Sequence, residues 1–573
     1  MSKSIRSSAA LFLSLGAAAS LLMGCVIDSE SDALGDEIVD VSVLPLEKGW
    51  TAIQPSVDTV KIYVSSSTGN DANDGKSPET AVKTLKKGAS LLKSGRPDWL
   101  LLKRGDAWVD ETLYTETTGA NENKNGVWNK SGRSASEPMV ISYYGDMTKS
   151  RPRLKTGVKS AIFTANDDTV NHIAIVGLRF SAHTRDKSQP GFQVARGYSG
   201  INWQSKTDGL LLEDVYVDHY KDAVMLQASS QDAIQNVKIR RSLLVDSYQP
   251  ETAPSPFKHS QGIYADRVKN LSIEENVIDH NGWADGIEQA PKTIYNHNIY
   301  IQVSCKNLNV EGNILTRGAG HGLQARPGGT VADNLFAQNP LAMSFGLVRG
   351  DKDPLPGGVV GEVSGNVILE GNDISSTLKR GYGMEIANIK SATVSDNIIA
   401  HNKSASKYGY AIQFDSDQDA GIYNLVVENN IIHNWASGLH FGSFKYDNVS
   451  FEHNVMAAPA LDVFLLKAPG GLSGEVEFAN NTWFTPSSKW FENGGSSVSF
   501  NQWKSTREPS AKQAKGAFKD PNRSLGSYSK LLGKAATFED FIAETRHQKR
   551  GNFRTTYTAQ AAIDYIRAGF LAP

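Results

Sequence analysis

Gly320-His321-Gly322-Leu323-Gln324-Ala325-Arg326 reads as a short strand. Strand side chains alternate between two faces, so Leu323 and Ala325 point one way and Gly322, Gln324 and Arg326 the other. Strict alternation turns His321 inward, and it joins the Gln324 face only if the strand begins at Gly322. The same pattern, a Gly or Ala followed by an apolar residue at the second and mostly the fourth position, recurs along the chain. It is seen in Ala223-Val224-Met225-Leu226-Gln227, Gly262-Ile263-Tyr264-Ala265-Asp266 and Gly286-Ile287-Glu288-Gln289-Ala290. It returns in Ala342-Met343-Ser344-Phe345-Gly346, Gly383-Met384-Glu385-Ile386-Ala387, Ala411-Ile412-Gln413-Phe414-Asp415 and Gly438-Leu439-His440-Phe441-Gly442. Stacked in register, these segments give an outward ladder of Met225, Tyr264, Glu288, Gln324, Ser344, Glu385, Gln413 and His440. The Gly/Ala column is expected to leave a shallow trough beside it.

A second repeat supports the stack. Apolar-alternating segments end in an Asn-containing turn at Asn276, Asn313, Asn397, Asn430 and Asn454. The spacing varies, 33 residues from Asn397 to Asn430 and 24 from Asn430 to Asn454, so one constant turn alternates with loops of variable length. No single coil of this kind buries its apolar side alone, and stacking is what creates the core. Asn suits such a turn because it tolerates the left-handed conformation, and equivalent Asn side chains can hydrogen-bond from coil to coil.

Residues 61–108 open with a strand (Lys61-Ile62-Tyr63-Val64), an Asx-rich loop (Gly69 to Gly75), a helix with Ala81, Leu85, Ala89 and Leu92 on one side, and a buried strand at Trp99–Lys103. This order, followed by the repeats, resembles the right-handed parallel β-helix superfamily, which includes pectate-lyase-like bacterial polysaccharide lyases. The resemblance spans roughly residues 60–485. It implies an all-β solenoid, with an N-terminal cap included in a domain at 59–485 and an α-helical C-terminal cap at 486–573. In the last segment Ser497–Phe500 reads as a final strand, Thr537 as the cap of a helix running to about Gln548, and Thr558 as the cap of another with Ala562, Ile563, Ile566 and Phe570 as its stripe. Asp71, Asn73 and Asp74 are either a Ca²⁺ site or a plain turn; no other cofactor is implied.

The start of the chain reads as a targeting segment. Lys3 and Arg6 precede an apolar run from Ala9 to Met23, and Leu22-Met23-Gly24-Cys25 resembles a bacterial lipobox. That resemblance implies a signal peptide at 1–24, lipidation of Cys25, a tether at 25–58, and a place in the bacterial cell envelope. Val26 after the Cys favours the outer membrane. The membrane is then met through the lipid alone. Cys305 is the other of two cysteines and reads as a small buried residue. The formal net charge of −2 becomes −4 once residues 1–24, with two cations and no acid, are removed. This speaks against nucleic acid as a partner. The expected partner is a polysaccharide, and the chain is expected to be a monomer.

A track of Glu, Gln, Tyr and His suits sugar hydroxyls, and it is richest at 262–326. Tyr264, Asp266, Glu288, His321, Gln324 and Arg326 converge there, and His297 and Lys292 on an insertion come within reach. Two chemistries fit. In β-elimination on a uronate polymer, Arg326, Gln324 and His297 engage the carboxylate while His321 or Tyr264 moves protons. In inverting hydrolysis, Glu288 and Asp266 stand roughly 8 Å apart, from one strand spacing and two residues of rise. Glu385, Gln413 and His440 extend either track as substrate-binding residues. The paired Asp of pectin hydrolases occurs only at Asp167-Asp168, away from this cluster, and the Asp-Pro-His motif of alginate epimerases is missing. The third reading is a glycan-binding or structural protein without catalysis.

Overall fold

The computed structural model describes residues 46–117, 126–250, 258–348, 355–404, 406–416, 420–457, 462–472 and 475–572. The expected signal peptide, Cys25 and most of the expected tether lie outside these residues. Three long sheets of 14, 13 and 14 strands run side by side. Strands adjacent within a sheet are mostly three apart in the chain, so each coil contributes one strand to every sheet. Pairing is parallel throughout, except for a hairpin at Leu46–Thr51 and the terminal pair Phe491–Asn493 with Ser496–Val498. This is the expected parallel β-helix.

One continuous core fills the solenoid, built from the inward residues of all three sheets. Ile263, Ile299, Leu323, Met343, Met384 and Ile412 stack in consecutive coils, each within 1% of complete burial. Cys305 is a buried, free thiol, and burial pushes it up to about 12.

At one corner an asparagine ladder closes the coils. Asn276, Asn313, Asn334, Asn366, Asn397, Asn430, Asn454 and Asn481 each donate through Nδ2 to the next member's side-chain oxygen, and the backbone N–H of each donates to that same oxygen. The last acceptor is Glu508, fully buried, whose other oxygen accepts from the indoles of Trp483 and Trp503 at 2.8 and 3.1 Å. The left-handed residue of each turn is not the ladder Asn. It is the residue before it: Glu275 (φ 53°), Asp333 (52°), Asp396 (55°), Asn429 (57°), His453 (56°), or Gly at 312 and 365. Of the two reasons the sequence offers for Asn here, the coil-to-coil hydrogen bonding holds and the left-handed conformation belongs to the preceding residue.

Helix α1 (Leu85–Leu91) covers the N-terminal end, with Thr84 as its N-cap. Asp71 accepts from Thr84 Oγ1 and from the N–H groups of Lys83 and Thr84, and Asp74 from Thr80 Oγ1 and Lys76 N. Asn73 donates to Ala81 O. These side chains build a turn, and among the described residues no group of three or more His, Cys, Asp or Glu side chains gathers as a metal site.

The far end is closed by helix α2 (Phe500–Thr506), whose Trp503 stacks on Phe491 at 4.3 Å. Ser499 is its N-cap, so the expected strand through Phe500 ends at Val498. Helices α3 (Leu525–Leu531), α4 (Phe538–Thr545) and α5 (Ala559–Phe570) do not cap the stack. They lie on its flank, burying Phe541, Ile563 and Ile566 against Leu335, Val367 and Ile398 of successive coils. Thr537 and Thr558 cap α4 and α5 as expected, and α4 ends three residues short of Gln548. Arg546 pins this flank, with Nη1 on Asp246 at 2.8 Å and Nε on Asp279 at 2.7 Å. Burial alone would raise the Asp279 carboxyl, but Arg546 and Arg317 hold it down at about 2.

The ladder makes a direct prediction. Asn366→Ala removes three donated and two accepted bonds in the middle of the run. It should lower unfolding stability by roughly 2–4 kcal/mol, the cost of several net hydrogen bonds and a stranded buried N–H. A chemical unfolding midpoint equal to wild type would refute the ladder's energetic role.

Candidate active site

The working face is the outer side of the 13-stranded sheet. The register of its strands gives an observed column of Met225, Tyr264, Tyr300, Gln324, Ser344, Glu385, Gln413 and His440. Seven of the eight expected rungs are present. The exception is Glu288. The rung between Tyr264 and Gln324 is the strand His297–Ile301, which puts Tyr300 in that place. Gly286 is left-handed, at φ 67°, and belongs to a turn in the excursion before this strand; Glu288 is exposed there. The small-residue rule chose Gly286 because the true rung carries Asn298 at the small position. Asn298 is fully buried and bonds to Thr316 O at 2.8 Å, accepting in turn from Asn281 Nδ2 at 2.9 Å.

The small column is also not a trough. A Cβ on Gly322 would sit 2.6 Å from Ala342 O, on Gly383 2.3 Å from Ala411 O, and on Gly438 2.1 Å from Leu465 O. These positions face inward, against the backbone of the next coil. Two consecutive residues, Gly322 and Leu323, therefore point into the core, and alternation is broken at that bend. This is what frees His321. It lies on the strand His321–Ala325, yet it shares the outer face with Gln324. A second outer column results, Asp222, Gln261, His297, His321, Leu341 and Tyr382.

The two columns line a cleft of about 1110 Å³. His321, Arg326, Tyr264, Gln324, His297, Glu385 and Gln413 are all in its wall. Asp266 is not. It is buried, accepts from Ser304 Oγ at 2.5 Å and pairs with Arg267 at 3.2 Å. The expected Glu288–Asp266 pair is thus dispersed. His440 stacks on Tyr410 at 4.4 Å, one coil beyond the lining, and Lys292 lies over Trp283 at 4.2 Å. Residues the sequence reading passed over include Tyr300, Gln302, Tyr382, Arg380, Gln261, His259, Lys221 and Asp222, all in the wall. The alternation of Ile299, Tyr300 and Ile301 was the signal for the first of these.

The chemistry concentrates around Tyr300. Arg326 lies over its ring at 4.9 Å and donates from Nη1 to Gln302 Oε1 at 3.2 Å. That bond orients the Gln302 amide, whose Nε2 donates to Tyr300 OH at 3.2 Å and Tyr264 OH at 3.3 Å. Both phenol oxygens therefore accept from protein, and both O–H protons remain to be given. Burial raises both phenols above their ordinary value, so they stay protonated at neutral pH. His297 packs edge-on against Tyr300 at 5.1 Å and against His321 at 4.6 Å. Burial first, then the neighbouring His321 and Arg326, hold His297 well below the usual imidazole value. Across the cleft, Glu385 Oε2 is 3.6 Å from His321 Nε2.

Among the described residues, only Asp222 and Glu385 bring carboxylates to the wall, against Lys221, Arg326 and Arg380. Asp222 is taken by Lys221 at 2.6 Å, Ser199 at 2.8 Å and Gln261 N at 2.9 Å. Its strand is five coils from that of Glu385, about 24 Å at the usual strand spacing.

Comparison with known proteins places this geometry in a fold. Residues 189–341 and 292–456 match the family model described as right handed beta helix region. Among solved structures, the chain is similar to a GH136 lacto-N-biosidase from Eubacterium ramulus (12% identity, 75% of this chain and 66% of that one, TM-score 0.34). It is similar also to a GH87 alpha-1,3-glucanase from Streptomyces thermodiastaticus strain HF3-3 (14%, 77% and 68%, 0.41) and to pectate lyase Pel9A (12%, 78% and 82%, 0.34). The chain spans about two thirds of the length of the first two. A search of curated proteins finds no match.

The bend is testable. Gly322→Ala puts a methyl against the Ala342 carbonyl and should cost about 1–3 kcal/mol, as overpacking does. Unchanged thermal unfolding would mean that Gly322 does not face inward.

Proposed function

We propose that this right-handed β-helix protein cleaves a uronate-containing polysaccharide by β-elimination. The observation that carries the reading is the convergence of Arg326, Tyr264, Tyr300 and His321 in one cleft where, among the described residues, no carboxylate pair stands at hydrolytic spacing. Glycosidases need two carboxyls roughly 5–9.5 Å apart. Asp222 and Glu385 are far outside that range. Asp415, one coil on from Glu385 and two residues along, gives about 8 Å from strand spacing and rise. It does not line the cleft, however, and it accepts from Gln413 Nε2 at 3.3 Å and from Ser416 N at 2.8 Å.

Elimination needs three things, and the cleft has a residue for each. The substrate carboxylate must be neutralised so that the adjacent C5–H becomes acidic. Arg326, fixed over Tyr300, and Gln324 beside it take that role. A base must take the C5 proton. The phenols are protonated and His297 is neutral with its Nδ1 occupied, so His321 is the base. An acid must protonate the leaving O4, and Tyr264 or Tyr300 has the proton to give. The C5–H electron pair forms the C4–C5 double bond as the C4–O bond breaks. The His321 imidazolium then returns its proton, through solvent, to the tyrosinate. Gln413 and Tyr382 extend the wall for further sugar rings. The reading includes a lipid anchor at Cys25 that places the enzyme on the bacterial envelope.

The test is a panel of polyuronates (polygalacturonate, alginate, chondroitin and hyaluronan), with unsaturated-uronate absorbance and reducing ends read together. Both signals should rise together on at least one polymer. Reducing ends without absorbance would establish hydrolysis instead, and binding without either would leave a glycan-binding protein. On the cleaved polymer, Arg326→Ala should lower kcat/KM by more than 100-fold with the fold intact, since it removes a charge–charge contact in a buried site. Glu288→Gln should stay within about twofold of wild type, because that side chain is outside the cleft; a large loss would revive the hydrolytic pair.

A further inference from the structure

Resting on the elimination reading, we propose that the substrate is a heteropolysaccharide in which the cleaved uronate is spaced from the next uronate by uncharged sugar. Arg326 takes the uronate, and the coils before Tyr300 take the uncharged residues.

The cleft is longer than one sugar site. Its wall runs from Asn202, on the strand Ile201–Trp203, to Gln413, on the strand Tyr410–Asp415. These are the first and last of eight consecutive rungs, so the cleft follows the stack for seven spacings, about 34 Å. An extended glycan advances by about one strand spacing per hexose, so roughly seven sugar residues fill it. A homopolymer of uronate would bring a carboxylate on every one of them.

The wall is not built for such a polyanion. Among the described residues its Lys, Arg, Asp and Glu side chains are Lys221, Arg326 and Arg380 against Asp222 and Glu385, a net of one positive charge. Lys221 is engaged within the protein: its Nζ donates to Asp222 at 2.6 Å, and the pair is neutral as a unit. Arg380 and Glu385 belong to one coil, the first just ahead of the strand Tyr382–Ala387 and the second on it, so a carboxylate there meets both signs. Carboxylates in excess of the cations would be desolvated against neutral or like-charged groups, which is how an electrostatically matched site rejects a wrong ligand.

The coils before Tyr300 carry chemistry suited to uncharged rings. Just past the ends of the strands, the register sets Gln204, Gln227, Asp266, Gln302 and Arg326 in one column. The acid in it is held out of the wall by Ser304 and Arg267. The lining of this column is therefore neutral until it reaches Arg326. Gln204 Nε2 donates to Asn202 Oδ1 at 2.9 Å, which orients the first amide. Gln227 is half-buried, and its amide makes no hydrogen bond to a described residue, so it offers both a donor and an acceptor to a ligand. Sugar hydroxyls and acetamido groups match such amides, because they too give and receive protons. At the starts of the strands the wall is aromatic instead. Tyr198 stands there, and Tyr295 packs with His259 at 5.7 Å. Aromatic faces cover the C–H side of a sugar ring and need no charge on it.

The experiment compares two kinds of polymer of matched length. In hyaluronan and unsulfated chondroitin a uronate alternates with an uncharged N-acetylhexosamine; in polygalacturonate and alginate every residue is a uronate. Read by unsaturated-uronate absorbance, kcat/KM should be at least 100-fold higher on a polymer of the first kind. Equal or faster cleavage of a homopolyuronate overturns the proposal and leaves elimination in place. Gln227→Lys puts a cation on the neutral arm at a side chain with no described partner to lose. It should raise kcat/KM on the homopolyuronates at least tenfold, and an unchanged value also overturns the proposal. Affinity gels containing each polymer read the preference without turnover, and the alternating polymers should retard the protein more. If no polymer yields absorbance, the elimination reading falls and the gels decide alone. Stronger retardation by a homopolyuronate, or none by any polymer, then overturns this inference as well.

Discussion

Everything in this molecule depends on holding each coil at one height above the last, and the asparagine ladder is the interaction that does so. Each ladder Asn bonds both up and down the stack. Its Nδ2 reaches the carbonyl of the coil before and the oxygen of the Asn after, as in Asn397 to Val363 O and Asn430 Oδ1, both at 2.9 Å. An amide suits this because it donates two protons and accepts at two lone pairs from one planar group. A carboxylate could not donate and a hydroxyl could not span. At the end of the run nothing remains to donate, and there the chain places Glu508, an acceptor only. Its negative charge faces the N–H ends of a column of aligned amides, so the terminus is matched in sign as well as in number.

That regularity is what lets residues tens of positions apart build a site. Strand spacing turns sequence separation into a fixed distance, so Tyr264, Tyr300 and Gln324 stand on consecutive rungs although 36 and then 24 residues separate them. The loops of variable length then decorate the column without disturbing it. The excursion before His297 shows the limit. It carries a strand-like pattern at Gly286–Ala290, but a left-handed Gly286 and no partner in the sheet leave Glu288 out in the turn.

The stack, both end regions and most of the outward column were legible in the sequence because each rests on a local rule: alternation, the turn Asn, the N-cap Thr. What was not legible rests on contacts between coils. The inward bend at Gly322 is set by the Ala342 carbonyl of the next coil, and no local pattern distinguishes a Gly that gives outer clearance from one that avoids an inner clash. Asn298 broke the small-residue rule because a second amide run, Asn281 to Asn298, fills the same corner with hydrogen bonds in place of empty space. The flank position of α3 to α5 was hidden for a similar reason. Their stripes show that they pack, but only Leu335, Val367 and Ile398 on the receiving sheet show where.

The bend also explains how a β-helix face comes to hold a histidine close to two phenols and a guanidinium. A perfectly alternating strand offers one outer residue in two, and neighbours on one rung are then about 7 Å apart along the strand. Two inward residues in succession split the outer face into two columns with the corner between them. His321 and His297 stand in one, Gln324 and Tyr300 in the other, and side chains from the two lean toward each other across the bend. This is how His297 meets Tyr300 edge-on at 5.1 Å while its Nδ1 also stands 3.2 Å from Nδ1 of His321. Burial raises the two phenols and lowers His297. Phenols and imidazole are therefore shifted in opposite directions by one burial, and moving the bend by one residue would lose the second column.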